Sequence, residues 1–243
     1  MAFSQQFTVL KVTPPFDDES DQEADALEVW NGDALIKVID ARYTPWDGCA
    51  FNRSARSLPS GILLFDWDLP GMYAGTGAIE VWASDGSADG TVLLATYGGL
   101  RCGDSDWEVI GRVGFIQEVC GAQRWRIVAL GGTVASTFEL RSSISSPPPY
   151  ALPFYLRLGD RIVYPGTNEA KGRELWISDG TRPGTRLVQD IRPGPEGSDP
   201  LRLVSRRGGT RVRFTADDGT GRAWWITDGT RKGTRKLDEP CCP

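Results

Sequence analysis

The sequence predicts an all-β protein: a single five-bladed β-propeller over residues 1–243, with four-stranded antiparallel blades of about 48 residues each. Three observations predict it. GRELWISDGTRPGTRLVQDI at 172–191 and GRAWWITDGTRKGTRKLDE at 221–239 are nearly the same sentence, with Trp176 and Trp225 49 residues apart. GAIEVWASDGSADGTVLLATY at 77–97 is a third copy, its Trp82 lying 94 residues before Trp176, or two periods of 47. Self-similarity at such a period marks a repeat architecture. Finally, 29 Gly, 16 Pro and 9 Trp supply turns and flat packing residues, while Gly or Pro interrupts almost every window long enough for a helix.

The fourth unit gives the template: strand a in PYALPFYLRL, b in DRIVYPG, c in GRELWISDG and d in GTRLVQDI. The fifth repeats it as DPLRLVSRR, TRVRFTADDG, GRAWWITDG and GTRKLDE. In the second unit the order reads FNRSARSLPSG, a poor strand, then ILLFDWD, GAIEVWASDG and GTVLLATYGG. DWEVIGR, VGFIQEVCG, QRWRIVALGG and VASTFELRS make a third unit without the Asp-Gly-Thr signature. FTVLKVTP, ALEVWNGD and ALIKVIDAR make a first unit with no evident strand a. Blade boundaries are expected near 1–47, 48–98, 99–146, 147–195 and 196–243. ELWIS is apolar at odd and even positions alike, as in a strand buried on both faces: Leu175 and Ile177 toward one neighbouring unit, Trp176 toward the other. A linear stack needs polar terminal caps, whereas the last unit keeps its tryptophan pair, so ring closure is expected, with an open or partly swapped array as the alternative.

ELWISDGTRPGT at 174–185, followed by LVQDIRPGPEGSDP at 187–200, resembles the ELWxxDGT repeat family of secreted and surface-associated bacterial proteins. Units two, four and five carry the likeness, about three-fifths of the chain; unit five departs at Ala223 and Trp224, and unit two at Ile79, Glu80 and Val81. The resemblance implies a secreted or cell-surface protein with an extracellular binding or adhesion role.

DGTxxGT sits between two strands and reads as a turn. Asp179 can accept amide hydrogen bonds two residues on, Gly180 can take positive φ, and Thr181 and Thr185 can satisfy loop carbonyls, with equivalents at Asp85-Gly86-Ser87 and Asp228-Gly229-Thr230. The competing reading makes these aspartates calcium ligands. Calcium wants six to eight oxygens and each loop offers one carboxylate, so no cofactor is expected. Trp30, Trp82, Trp125, Trp176 and Trp225 all fall on strand c, where packing between blades is the plain reading and stacking on a ligand the alternative.

Candidate ligand-binding residues are the aromatics outside that register and the carboxylates beside them: Trp46, Asp66, Trp67, Asp68 and Trp107. They belong to the irregular segments 43–60, 66–78 and 101–108, where recognition loops on a rigid scaffold are expected. A glycan-cleaving enzyme would need an acid and a base flanking the scissile bond. FDWD at 65–68 offers Asp66 and Asp68 but no distinct remote partner, so no catalytic residue is assigned and a non-enzymatic role is expected.

The chain has no histidine, which removes imidazole catalysis, imidazole metal sites and histidine pH switching. No P-loop and no glycine-rich dinucleotide fingerprint occur. MAFSQQFTVL has neither the basic start nor the apolar core of an export signal, and no run is long and apolar enough to cross a bilayer. Residues 1–150 hold 10 Lys/Arg against 20 Asp/Glu, a local −10; residues 151–243 hold 17 against 12, a local +5. Arg202, Arg206, Arg207, Arg211 and Arg213 read either as a polyanion site or as solvated strand faces, and no nucleic-acid motif accompanies them. Acidic and basic ends also suit head-to-tail assembly. Cys102 and Cys120 lie equidistant from Gly111, which suggests a disulfide across the third unit's first hairpin, and Cys49 could pair with Cys241 or Cys242. Five reduced thiols are the alternative.

The expected function is therefore a secreted or cell-surface, non-catalytic module binding a glycan or a protein through loops on one rim. A structural subunit of an extracellular assembly is the second reading, and a glycan-cleaving enzyme using Asp66 or Asp68 the third.

Overall fold

In a computed structural model the described residues are 8–13, 26–31, 33–40, 55–69, 78–98, 106–120, 124–140, 155–206 and 208–239. Among them every regular element is a strand. β1 (Thr8–Thr13), β2 (Ala26–Asn31) and β3 (Ala34–Asp40) form a sheet of three strands among the described residues, the three read for the first unit. β4 (Ala55–Ser57), β5 (Leu63–Leu69), β6 (Ala78–Ser84) and β7 (Val92–Gly98) form the second sheet. The third comprises β8 (Asp106–Ile110), β9 (Val113–Cys120), β10 (Arg124–Leu130) and β11 (Thr137–Glu139). The fourth is β12 (Leu156–Leu158), β13 (Arg161–Asn168), β14 (Gly172–Ser178) and β15 (Arg186–Leu187). The fifth is β16 (Leu201–Arg206), β17 (Arg211–Asp217), β18 (Arg222–Thr227) and β19 (Arg235–Lys236). Each four-stranded sheet is a meander of sequential antiparallel strands.

Two differences from the sequence reading have local causes. Strand b of the fourth unit runs past Pro165 to Asn168. Proline lacks an amide donor, yet β12 pairs only as far as Leu156 with Val163, so a ladder partner on that side is not required at Pro165. Second, the β8–β9 turn is centred between Gly111 and Arg112, because Ile110 pairs with Val113. Equidistance from Gly111 therefore does not set the register across this hairpin; Cys102, like Cys49, Cys241 and Cys242, lies outside the described residues.

The chain divides into two compact units, one of residues 1–104 with 132–137, the other of residues 105–131 with 138–243. In the second unit the third, fourth and fifth sheets stack through two cores. The first core joins Ile110, Phe115, Ile127 and Ala129 to Ile162, Tyr164 and Trp176. The second joins Val163, Leu175 and Ile177 to Val212, Phe214 and Trp225. Leu175 and Ile177 thus face the fifth sheet and Trp176 the third, as strand alternation requires of a doubly buried strand. Trp176 and Trp225 are 8% and 7% exposed, so these indoles serve packing. Truncating one costs about 3–5 kcal/mol at a core position. In the first unit Trp82 receives the Lys37 ammonium of β3 at 5.5 Å from its ring centroid, again on the side of the preceding sheet. Trp125 breaks the series. The turn glycine Gly132 of the third sheet matches Gly180 of the fourth in its positive φ, which puts Val128, not Trp125, at the position of Trp176.

Candidate functional site

The repeated motif is a turn built twice over from hydroxyls. In the fourth unit the Asp179 carboxylate accepts from the Thr181 amide at 2.9 Å and the Thr181 hydroxyl at 2.7 Å. Thr181 Oγ1 in turn accepts from the Gly184 amide at 3.0 Å, and Thr185 Oγ1 donates to the Thr181 carbonyl at 2.7 Å. Ser178 Oγ, buried, pairs with Thr185 Oγ1 at 2.7 Å and accepts from the Gly180 amide at 3.0 Å. The same network recurs at Ser84, Asp85, Ser87, Gly90 and Thr91, and at Thr227, Asp228, Thr230, Gly233 and Thr234. Hydrogen bonds from Ser87 and Thr230 hold the Asp85 and Asp228 carboxyls below the usual carboxylate range. Among the described residues no group of three or more His, Cys, Asp or Glu side chains is placed to hold a metal ion. The residue preceding each aspartate, a hydroxyl in all three copies, was not singled out in the sequence reading although its conservative alternation of Ser and Thr was visible.

Both glycines of the motif are sterically required. Gly180 has φ 83°, and a Cβ there would lie 2.6 Å from Val113; a Cβ on Gly229 (φ 85°) would lie 2.5 Å from Ile177. A Cβ on Gly184 would fall 1.9 Å from the Asp179 carboxylate.

Glu174, the first letter of the ELW motif, is fully buried. Its Oε1 accepts from the amides of Arg192 at 2.9 Å and Ser198 at 3.1 Å, and its Oε2 from the Ser198 hydroxyl at 2.6 Å. Burial raises its pKa and these donors oppose the rise. Glu174 therefore clasps the Arg-Pro-Gly-Pro-Glu-Gly-Ser-Asp segment that links the fourth sheet to the fifth. Asp199 completes the link: its carboxylate pairs with Arg173 and, at 2.9 Å, with Arg222. Burial lowers the Arg173 pKa, with the Asp199 charge acting against the shift.

Of the predicted ligand residues, Asp66, Trp67 and Asp68 lie on β5 opposite Val81, Glu80 and Ile79, and Trp107 lies on β8 opposite Ile116. Their side chains, and Trp46 altogether, lie outside the described residues. Of the basic cluster, Arg213 is held by Glu239 at 2.6 Å and stacks 4.7 Å from the Trp224 centroid, while Arg206 pairs directly across from Arg211. Arg207 lies outside the described residues.

A cleft of about 330 Å³ opens where β11 meets β14 and the turn of the fourth sheet, lined by Phe138, Glu139, Asn168, Trp176, Arg182 and Thr185 among others. The Arg182 guanidinium lies 4.6 Å from the Phe138 ring centroid. Asn168 Oδ1 accepts from the Ala170 amide at 2.9 Å, which fixes its carboxamide plane. Thr185 is engaged within the turn, and Trp176 forms a floor. These residues come from four separate elements, so no contiguous motif announced them; the only sequence signal was Arg182 occupying a variable position of DGTxxGT.

No family model matches the chain, and no curated protein matches it. Solved structures do. An acylaminoacyl peptidase from Pyrococcus horikoshii is 12% identical over 99% of this chain and 48% of its own, with a TM-score of 0.34. A puromycin-hydrolyzing peptidase from Mycobacterium tuberculosis is 15% identical over 93% of this chain and 38% of its own, with a TM-score of 0.37. A structure from a study of two prolyl endopeptidases is 12% identical over 96% of this chain and 34% of its own, with a TM-score of 0.38. The chain spans less than half the length of these proteins, and at such scores the likeness assigns no chemistry to it.

Proposed function

We propose that the five sheets are the blades of one β-propeller and that the protein is a secreted or cell-surface binding module, without catalytic chemistry of its own, recognising a glycan or another protein through loops on one rim. One observation carries this reading: the motif side chains of all three DGT turns are spent on the turns themselves, Asp on Ser/Thr and hydroxyl on hydroxyl, at matching distances. Residues so committed form scaffold, which leaves recognition to positions that depart from the repeat. Binding of the full chain to a glycan array, with a protein cross-linking screen alongside, tests it. A specific hit on either supports the module; silence on both removes it.

A second reading, a subunit of an extracellular assembly, is favoured by the register of Arg206 with Arg211. Like charges directly opposite are unfavourable until an acidic surface meets them. Solution mass should then fall as salt rises, since exposed charge pairs are screened beyond about 10 Å at 0.1 M salt; a salt-independent monomer sinks this second reading.

A further inference from the structure

We propose that the cleft between β11 and the fourth sheet's turn seats one uncharged sugar ring of a neutral glycan, an inference that rests on the binding-module reading above. Its volume of about 330 Å³ stands at the lower end of the roughly 300–1,000 Å³ of small-ligand sites, room for one ring. The lining carries one carboxylate, Glu139, and one guanidinium, Arg182, so the site has no net formal charge with which to favour an ionic ligand. Sugar hydroxyls both donate and accept, and a rim of guanidinium, carboxylate and carboxamide meets both needs. The apolar C–H side of the ring has the uncovered edges of Phe138 and Leu140 to lie against, with Arg182 over the Phe138 face and Trp176 packed in the core beneath. Arg182 is already held over Phe138, so little side-chain freedom is lost when a ligand arrives.

The test uses the full chain and calorimetric titration with maltotetraose, cellotetraose, mannotetraose and galactotetraose, with tetragalacturonate as the anionic counterpart. Expected is binding of at least one neutral tetrasaccharide that barely responds to salt and weakens about ten-fold or more in Arg182→Ala. Arg182 is exposed, so that variant should melt like the parent; Phe138→Leu, which keeps most of the apolar volume and removes the ring under Arg182, is the second probe. If a neutral tetrasaccharide binds equally to parent and both variants, the cleft is overturned while the module reading stands. Preference for tetragalacturonate that fades with salt overturns the neutral-ligand assignment. Binding of none of the five overturns the sugar site, and the module reading is then decided separately by the array and cross-linking screen.

Discussion

Ser198 donates twice to Glu174, from its hydroxyl at 2.6 Å and from its amide at 3.1 Å, across 24 residues of chain. A buried carboxylate with three donors is a fixed point about which the linker between the fourth and fifth sheets is folded. Glu174→Ala strands the Arg192 and Ser198 amides and should cost about 3 kcal/mol or more in denaturant unfolding. Glu174→Gln keeps one acceptor oxygen but turns an NH2 toward donors, and should fall between Ala and parent. Equal stability of parent and Glu174→Ala would show that the clasp contributes nothing.

Thr181 both donates to Asp179 and accepts from Gly184. Thr181→Val keeps shape and deletes both bonds, so a loss of about 1–2 kcal/mol is expected. Thr181→Ser should retain most of the stability, because Ser87 does the same work in the second unit at 2.7 and 3.0 Å. The denaturation midpoints of the three proteins rank them.

Gly180 and Gly209 share φ 83° but differ in surroundings: a Cβ on Gly180 meets Val113 at 2.6 Å, whereas one on Gly209 meets nothing within 4 Å. Gly209→Ala should cost only the left-handed backbone strain, about 1–2 kcal/mol. Gly180→Ala adds an overpacked contact and should cost about 2 kcal/mol beyond that. Thermal melts of the pair separate backbone strain from crowding, and equal losses would refute the crowding.

Hydrogen bonds from Lys236 and Thr220 lower the Asp218 pKa from 3.8 to about 2, and backbone amides of Gly219 and Gly221 lower that of Asp217. A folded-state pKa below the unfolded one gives stability that is complete above the unfolded value and lost as pH falls through the folded value. Unfolding stability should therefore decline from about pH 4 toward pH 2, and Asp218→Asn should flatten part of that slope. Glu174 has the opposite sign: its contribution declines as pH rises from 4.5 through its raised value. A parent and an Asp218→Asn protein with superimposable pH profiles would refute the Asp218 assignment.

The sheets were legible because each strand is a local pattern bounded by turn residues. The opposed facing of Trp176 and Leu175 followed from alternation alone. Three things were not legible. Glu174 meets Ser198 only after the linker folds back, so nothing nearby in sequence marks the pair. Trp125 shares a strand type with Trp176 but not its register, a shift that only the turn glycines locate. The cleft arises from apposition of β11 with the fourth sheet, and its residues carry no common spacing.

Within the compact unit of the third, fourth and fifth sheets the turn glycines look one way: Gly180 onto Val113, Gly229 onto Ile177 and Leu158. Trp176 and Trp225 look the same way. The fourth and fifth periods thus each bring the fittings for attachment to the one before, which presents to them an apolar surface that is mostly aliphatic. Such a chain can lengthen by tandem duplication of a single segment, because the copy arrives with its adaptor already in place.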